Sequence, residues 1–290
     1  MRAADPPVRV RDLTKAYGAL TALGGVSFDI EEGETFGLLG PNGAGKSTTI
    51  EILEGYRNRS GGSASVLGVD PQHGGTGWKA QLGIVLQSGG ESANVSVVEQ
   101  LTHFARYYPN PRNVGEVIEA VGLADKARTR IGKLSGGQRR RVDVALGIIG
   151  RPRLLFLDEP TTGFDPEARR QFWGLIDRLK GEGTTILLTT HYLDEAAALS
   201  DRVGVIVDGR LVDIGPVDEI GGDAAKVPLV RWREAGVVRS ERTRAPAALA
   251  ARLFAEAGGE VDGLEITRPS LEDIYLDLVG ARDDGSGEAA

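Results

Sequence analysis

The chain has no cysteine, so disulfide staples and thiolate metal centres are excluded. Long apolar runs are missing too. The stretch around Val203 to Val207 is typical, and all fall far short of the roughly 18 residues needed to cross a bilayer. Any membrane role is therefore expected to come through a partner. There is no cleavable apolar segment at the start and no signature of an oxidising compartment, so the expected location is the cytoplasm. Basic charge is in deficit. A net charge of −7 argues against nucleic acid as the main ligand, because duplex binding leans on a basic surface. No internal repeat is present. What is there is 290 residues, 41% of them hydrophobic, enough for one large α/β domain and a small appendage.

Several short apolar runs end in a polar residue or glycine: Thr35 to Gly40, Leu82 to Gln87, Leu154 to Asp158, Thr185 to Thr190 and Val203 to Asp208. They lack period-2 alternation, which suits strands buried on both faces of a parallel sheet. Helical spacing lies between them. Val142, Ala145, Leu146 and Ile149 mark one helix face, and Phe172, Leu175, Ile176 and Leu179 another. The second helix has Asp165 placed as N-cap, Pro166 at the first position and Gly181 just past its end. This alternation predicts a doubly wound α/β fold. From Gly89 to Lys133 no such run occurs, so this stretch reads as a helical insertion, with helices near Val97 to Tyr108 and Val114 to Val121. Beyond about Ile220 the pattern changes to a small α+β appendage. Its last helix starts at Ser270, with Asp273 three residues on as an acidic capping box.

Two motifs carry chemistry. Gly40-Pro41-Asn42-Gly43-Ala44-Gly45-Lys46-Ser47-Thr48 matches the phosphate-binding loop G-x-x-x-x-G-K-[ST], between an apolar strand and a helix start. Glycines let successive N–H groups wrap a phosphate, Lys46 can reach its outer oxygens, and the Ser47 hydroxyl can ligate Mg²⁺. Leu154 to Pro160 is a buried strand ending in Asp158 and Glu159, at the edge where open α/β sheets place ligands. Asp158 suits the hydration shell of Mg²⁺, and Glu159 can polarise an attacking water. A third stretch, Leu134-Ser135-Gly136-Gly137-Gln138, opens a helix with a hydroxyl and free N–H groups, which makes an anion site.

With these three motifs in this order, the chain from about Val8 to Ile220 resembles the ATP-binding-cassette (ABC) ATPases. The resemblance implies a P-loop NTPase sheet core with a helical insertion (the ABC ATPase fold), ATP as substrate and Mg²⁺ as cofactor. It implies that Tyr17, 29 residues before Lys46, stacks on adenine. Gln87 would touch Mg²⁺ and water, His191 the γ-phosphate, and Gly163-Phe164-Asp165 would link two ATP sites, with Phe164 where the family usually has Leu. Catalysis would rest on Glu159, His191 and Gln87. Residues 40–48 and Tyr17 would bind the nucleotide, and Ser47, Gln87 and Asp158 would serve the metal. Ser135, Gly136, Gly137 and Gln138 would act in trans, on ATP held by a second copy of the chain.

The resemblance further implies a separate membrane-spanning permease, no nucleic acid as partner, and a place at the cytoplasmic face of the cell membrane. Gly136 to Asp143, His191 to Gly215 and Pro269 to Leu276 look like the daunorubicin-resistance type of drug-export ATPase. In that reading Leu271, Ile274, Tyr275 and Leu278 form the last helix's buried face. The expected function is to power export of a drug, antibiotic or other amphipathic compound. The alternatives are an importer, ion or lipid export, or an ABC ATPase acting on DNA or ribosomes. Against the DNA class, only 89 residues separate Lys46 from Ser135 and they carry no heptads. The expected organisation is a nucleotide-binding domain over 1–222 with its helical subdomain at about 89–150, an appendage over 223–280, and a disordered tail over 281–290.

Overall fold

Buried apolar runs become strands, and the amphipathic stretches between them become helices. The computed structural model describes residues 5–86, 94–190, 192–234 and 236–283. In chain order the elements are β1 (Val8–Tyr17), β2 (Leu20–Ile30), β3 (Thr35–Leu39), α1 (Lys46–Leu53), β4 (Gly61–Val66), α2 (Thr76–Lys79), β5 (Leu82–Val85), α3 (Val97–Ala105), α4 (Val114–Ala120) and α5 (Gly136–Ile148). There follow β6 (Leu154–Asp158), α6 (Pro166–Gly181), β7 (Thr185–Thr190), α7 (Leu193–Leu199), β8 (Arg202–Val207), β9 (Arg210–Pro216), α8 (Gly222–Ala225), β10 (Leu229–Glu234), β11 (Val237–Arg242), α9 (Pro246–Ala257), β12 (Glu265–Thr267) and α10 (Leu271–Asp283). Residue contacts divide the chain into two compact units, Met1–Ile214 and Gly215–Ala290.

The first unit is built on a six-stranded sheet of order β5-β6-β7-β3-β8-β9. The pairs β5·β6, β6·β7, β7·β3 and β3·β8 are all parallel. β3, the first of these strands in the chain, lies inside the sheet, with β7 on one side and β8 on the other. The chain order therefore reverses beside β3, the place where doubly wound sheets open a crevice for ligands. β3 and β6 are buried at every residue, as expected for strands covered on both faces.

Two cores cover those faces. One joins α3, α4, α5 and α6 to the sheet through Leu101, Val117, Ile148, Phe172 and Leu188. The other joins α1 to a second, antiparallel sheet of order β2-β1-β4. There Phe28 stacks on Phe36 of β3, ring centroids 5.2 Å apart. The sequence pattern did not announce this second sheet. Bulges between Val10 and Leu13 and at two further points break the alternation of β1.

The helix predicted at Asp165 is capped as expected: the Asp165 carboxylate accepts from Ala168 N–H at 2.8 Å. Its end differs. Gly181 is the last helical residue, and Gly183, with φ +89°, makes the left-handed turn. In the second unit β10 is the centre of an antiparallel sheet, with α9 packed on Val230 through Leu249 and Leu253. Ser270 and Asp273 form the expected reciprocal cap of α10. Ile274 is that helix's buried anchor, while Leu271, Tyr275 and Leu278 are partly buried. α10 extends to Asp283, and 284–290 lie outside the described residues.

Trp78 ties α2 to the antiparallel sheet. It is buried, and its indole N–H donates to Val66 O at 2.8 Å. Trp78→Ala should destabilise the first unit by about 3–5 kcal/mol, the usual cost of emptying an aromatic site. Urea titration reads this as a lower midpoint; a loss under ~1 kcal/mol would show that the ring is not part of the core.

Candidate active site

The loop between β3 and α1 is shaped by close approach. A Cβ on Gly40 would lie 2.2 Å from Ile206 O of β8, so only glycine fits. Gly45, the N-cap of α1, has φ +105°, and its Cβ would stand 2.6 Å from the Leu23 side chain. Asn42 and Gly43 are exposed at the loop's crown, and Ser47 and Thr48 are half-buried. Lys46 is buried at 5% exposure and folds back over its own loop, donating to Gly40 O at 2.7 Å and Pro41 O at 3.0 Å. Burial pushes its ammonium below the ordinary lysine value, and the charges of Glu159 and Asp158 partly counter this.

Asp158 and Glu159 stand at the C-terminal end of β6, both buried. Thr189 of β7 holds the pair: its hydroxyl donates to Asp158 Oδ1 and accepts from Glu159 N–H at 3.2 Å. Glu159 has φ +47°, a left-handed conformation that a side-chain-bearing residue keeps only when its surroundings hold it. Ser47 and Asp158 line one cavity of about 550 Å³. Among the described residues no group of three or more His, Cys, Asp or Glu could hold a metal. A hydroxyl and a carboxylate on one cavity do suit a cation that keeps waters and takes phosphate oxygens, as Mg²⁺ does.

Tyr17 ends β1 and is 39% exposed, and cations flank its ring: Lys15 Nζ lies 4.9 Å and Arg57 Cζ 5.2 Å from the centroid. Ser135 is the N-cap of α5. Its hydroxyl accepts from Gln138 N–H at 3.2 Å, and Gln138 Oε1 accepts from Ser135 N–H at 3.0 Å. Ser135 and Gly136 are exposed, whereas Gly137 and Gln138 are half-buried. A Cβ on Gly137 would come within 3.1 Å of Gly163 O, so the helix start lies close to the loop before Asp165. Phe164 is buried edge-on against Phe172, centroids 6.0 Å apart, which accommodates the ring where a leucine is usual. Gln87 and His191 lie outside the described residues.

The geometry thus brings together Lys46, Ser47, Asp158 and Glu159. It leaves the exposed Ser135 side chain bonded only to Gln138 among the described hydrogen bonds.

Comparison with known proteins agrees. The family model described as "ABC transporter" matches residues 23–162. The daunorubicin resistance ATP-binding protein DrrA3 of Streptomyces coeruleorubidus is 34% identical, over 96% of this chain and 97% of its own. The chain belongs to the ABC transporter family. It is an ABC ATPase, the class its three motifs imply. The Nod factor export ATP-binding protein I of Cupriavidus pinatubonensis is 36% identical over 94% of this chain and 90% of its own. Among solved structures, an ATP-binding subunit of an ABC transporter superposes with a TM-score of 0.69 at 28% identity, covering 73% of this chain and 91% of that one. A dimeric cassette in a post-hydrolysis state with ADP and Pi has a TM-score of 0.66 at 23% identity and covers 72% of this chain and 98% of that one, which shows the shared fold.

The motifs did not point to every polar residue of this ABC site. Thr189 could be found only as a hydroxyl near the end of a buried apolar run. Glu54, at the end of α1, is buried and lines the same cavity as Ser47 and Asp158. Burial, with the nearby charges of Asp158 and Glu51, pushes its carboxyl up to about 8. A carboxyl raised in the folded state stabilises the fold fully below its unfolded value of 4.5 and loses that contribution as pH rises through about 8. Wild type should therefore lose stability on the order of 3 kcal/mol between pH 5 and pH 9 from this group. Glu54→Gln should flatten that slope and melt higher than wild type at pH 9. Parallel melting curves for the two proteins across this range would refute the assignment.

Proposed function

We propose that the chain powers export of a drug, antibiotic or other amphipathic compound, working as a pair of identical copies that share ATP. The observation that carries this reading is the division of the polar groups between elements. Lys46, Asp158 and Glu159 gather at the sheet edge, while the exposed Ser135 opens a separate 13-residue helix. A helix N-terminus of that length offers free N–H groups and a positive dipole end to an anion from outside. A second copy of the chain carries the matching anion, the γ-phosphate of the ATP on its own loop. The export cargo rests on the relatives named for daunorubicin resistance and for Nod factor export. No described helix is long and apolar enough to cross a membrane, so the reading includes a separate permease, with this chain at the cytoplasmic membrane face.

The residues divide the work. Backbone N–H groups of residues 40–48 wrap the phosphates. Lys46 turns from the Gly40 and Pro41 carbonyls to the β- and γ-phosphates, where a charge-assisted bond is stronger than a neutral one. Tyr17 gives adenine a ring to stack on. Ser47 and Asp158 would hold Mg²⁺, which when bound neutralises the charge that develops on the phosphates. Glu159 accepts the proton of the attacking water and orients it toward the γ-phosphorus. Gln87 and His191 would complete the contacts to water and γ-phosphate. Ser135 to Gln138 of the second copy close over the γ-phosphate and exclude other water. Asp165 caps α6 and so fixes the loop that runs between the two sites.

Lys46→Ala should weaken ATP binding by roughly 10- to 100-fold, the loss of a bond to a charged group. Titration with a fluorescent ATP analogue measures this, and unchanged affinity in a folded variant would remove Lys46 from the site. Glu159→Gln keeps shape but removes the base, so hydrolysis should fall by roughly 10²- to 10⁴-fold while ATP still binds. Light scattering should then find an ATP-dependent dimer that builds up, and adding Ser135→Arg should abolish it. If Glu159→Gln pairs equally with and without ATP and Ser135→Arg changes nothing, ATP is not shared between copies.

A further inference from the structure

Arg140 is a buried arginine that none of the functions above uses. It is the fifth residue of α5, 6% exposed, in line with Val144 and Ile148 on the helix. Its guanidinium reaches four backbone carbonyls. Nε donates to Pro160 O at 3.1 Å, Nη2 donates to Asp158 O at 2.5 Å and to Glu159 O at 3.1 Å, and Nη1 donates to Leu86 O. Three of these carbonyls are consecutive and belong to the turn that carries the two acids. The fourth belongs to Leu86, which follows β5 and immediately precedes Gln87. Burial pushes the guanidinium below its ordinary value, and the carboxylates of Asp143, Asp158, Glu159 and Glu195 partly counter this.

A buried arginine could serve stability alone. Two features point further. First, the turn it grips is held in an uncommon conformation, Glu159 at φ +47°, which neighbouring groups must maintain. Second, the gripping residue sits on the helix whose first turn is Ser135 to Gln138. Only a planar fork with five donors can satisfy four carbonyls spread over two strands' ends.

We infer that Arg140 is a positioning residue: through four carbonyl bonds it locks the Asp158–Glu159 turn and the end of β5 to the helix that presents Ser135. Motion of α5 when Ser135 meets nucleotide is then passed to the carboxylate that orients the water. The inference rests on the assignment of Glu159 proposed above.

The test uses the full-length chain with Arg140→Lys, which keeps the charge but offers one compact ammonium in place of the fork. Thermal melting, binding of a fluorescent ATP analogue, and steady-state hydrolysis are measured together, with Glu159→Gln alongside. Arg140→Lys should melt within a few degrees of wild type and keep analogue affinity and KM within about threefold, since Lys46 and its loop are untouched. Its kcat should fall by at least roughly tenfold, the pattern of an interaction needed in the transition state. Should Arg140→Lys not fold, Arg140→Gln, with two amide donors, is read the same way. Wild-type kcat in a folded variant overturns the inference, as does a kcat loss matched by equal losses in analogue affinity and melting temperature. If neither variant folds, the role is stability alone and the inference falls. If Glu159→Gln hydrolyses ATP normally, the assignment of Glu159 fails first, and the two failures are told apart.

Discussion

The site depends on how tightly two backbones can meet beside β3. Where that strand ends, Gly40 passes so close to the Ile206 carbonyl of β8 that even a methyl group would sit 2.2 Å from it. This contact sets where the loop leaves the sheet, and hence where Lys46 and Ser47 begin α1. The sheet order then brings β7 and β6 alongside, so that Thr189, Asp158 and Glu159 reach the same edge. A larger residue at position 40 would move the loop away from the acids that face it. Packing of main chain on main chain therefore comes before any of the site's electrostatics.

Those electrostatics are balanced by burial. Lys46, Asp158 and Glu159 are each less than a tenth exposed, and Arg140 is a second buried cation behind the two acids. Each of these groups is met locally. Thr189 bonds to both acids' residues, Arg140 binds the carbonyls behind them, and Lys46 uses its own loop's carbonyls. The lysine's partners are neutral, so trading them for phosphate oxygens gains charge pairing without breaking an ion pair.

Much of this was legible in the sequence because the decisive patterns are local. The apolar runs at Thr35, Leu82, Leu154, Thr185 and Val203 all became strands of the parallel sheet, since strands buried on both faces need no alternation to be noticed. The phosphate loop, the acid pair and the Ser135 cap each lie within nine residues, and local bonds shape them. The β2-β1-β4 sheet was not legible, because bulges spoil its period and its partners are distant. Arg140 escaped for a related reason. Its four carbonyls are 18, 19, 20 and 54 residues away along the chain. Within the triplet Arg139-Arg140-Arg141 nothing local marks the middle side chain as the one that turns inward.

Gly137 and Gly163 lie so close that a side chain on Gly137 would start 3.1 Å from the Gly163 carbonyl oxygen. In the proposed pair of identical chains, each composite site would take its clamp from one copy and its acids from the other. The loop ending at Asp165 follows directly from the acids of its own copy, so it would belong to one site while the clamp beside it would belong to the second. An approach this close would let occupancy of one site alter the geometry of the other. The two nucleotides would then turn over cooperatively, with a Hill coefficient above one, as a property of two glycines that both lie outside the phosphate loop.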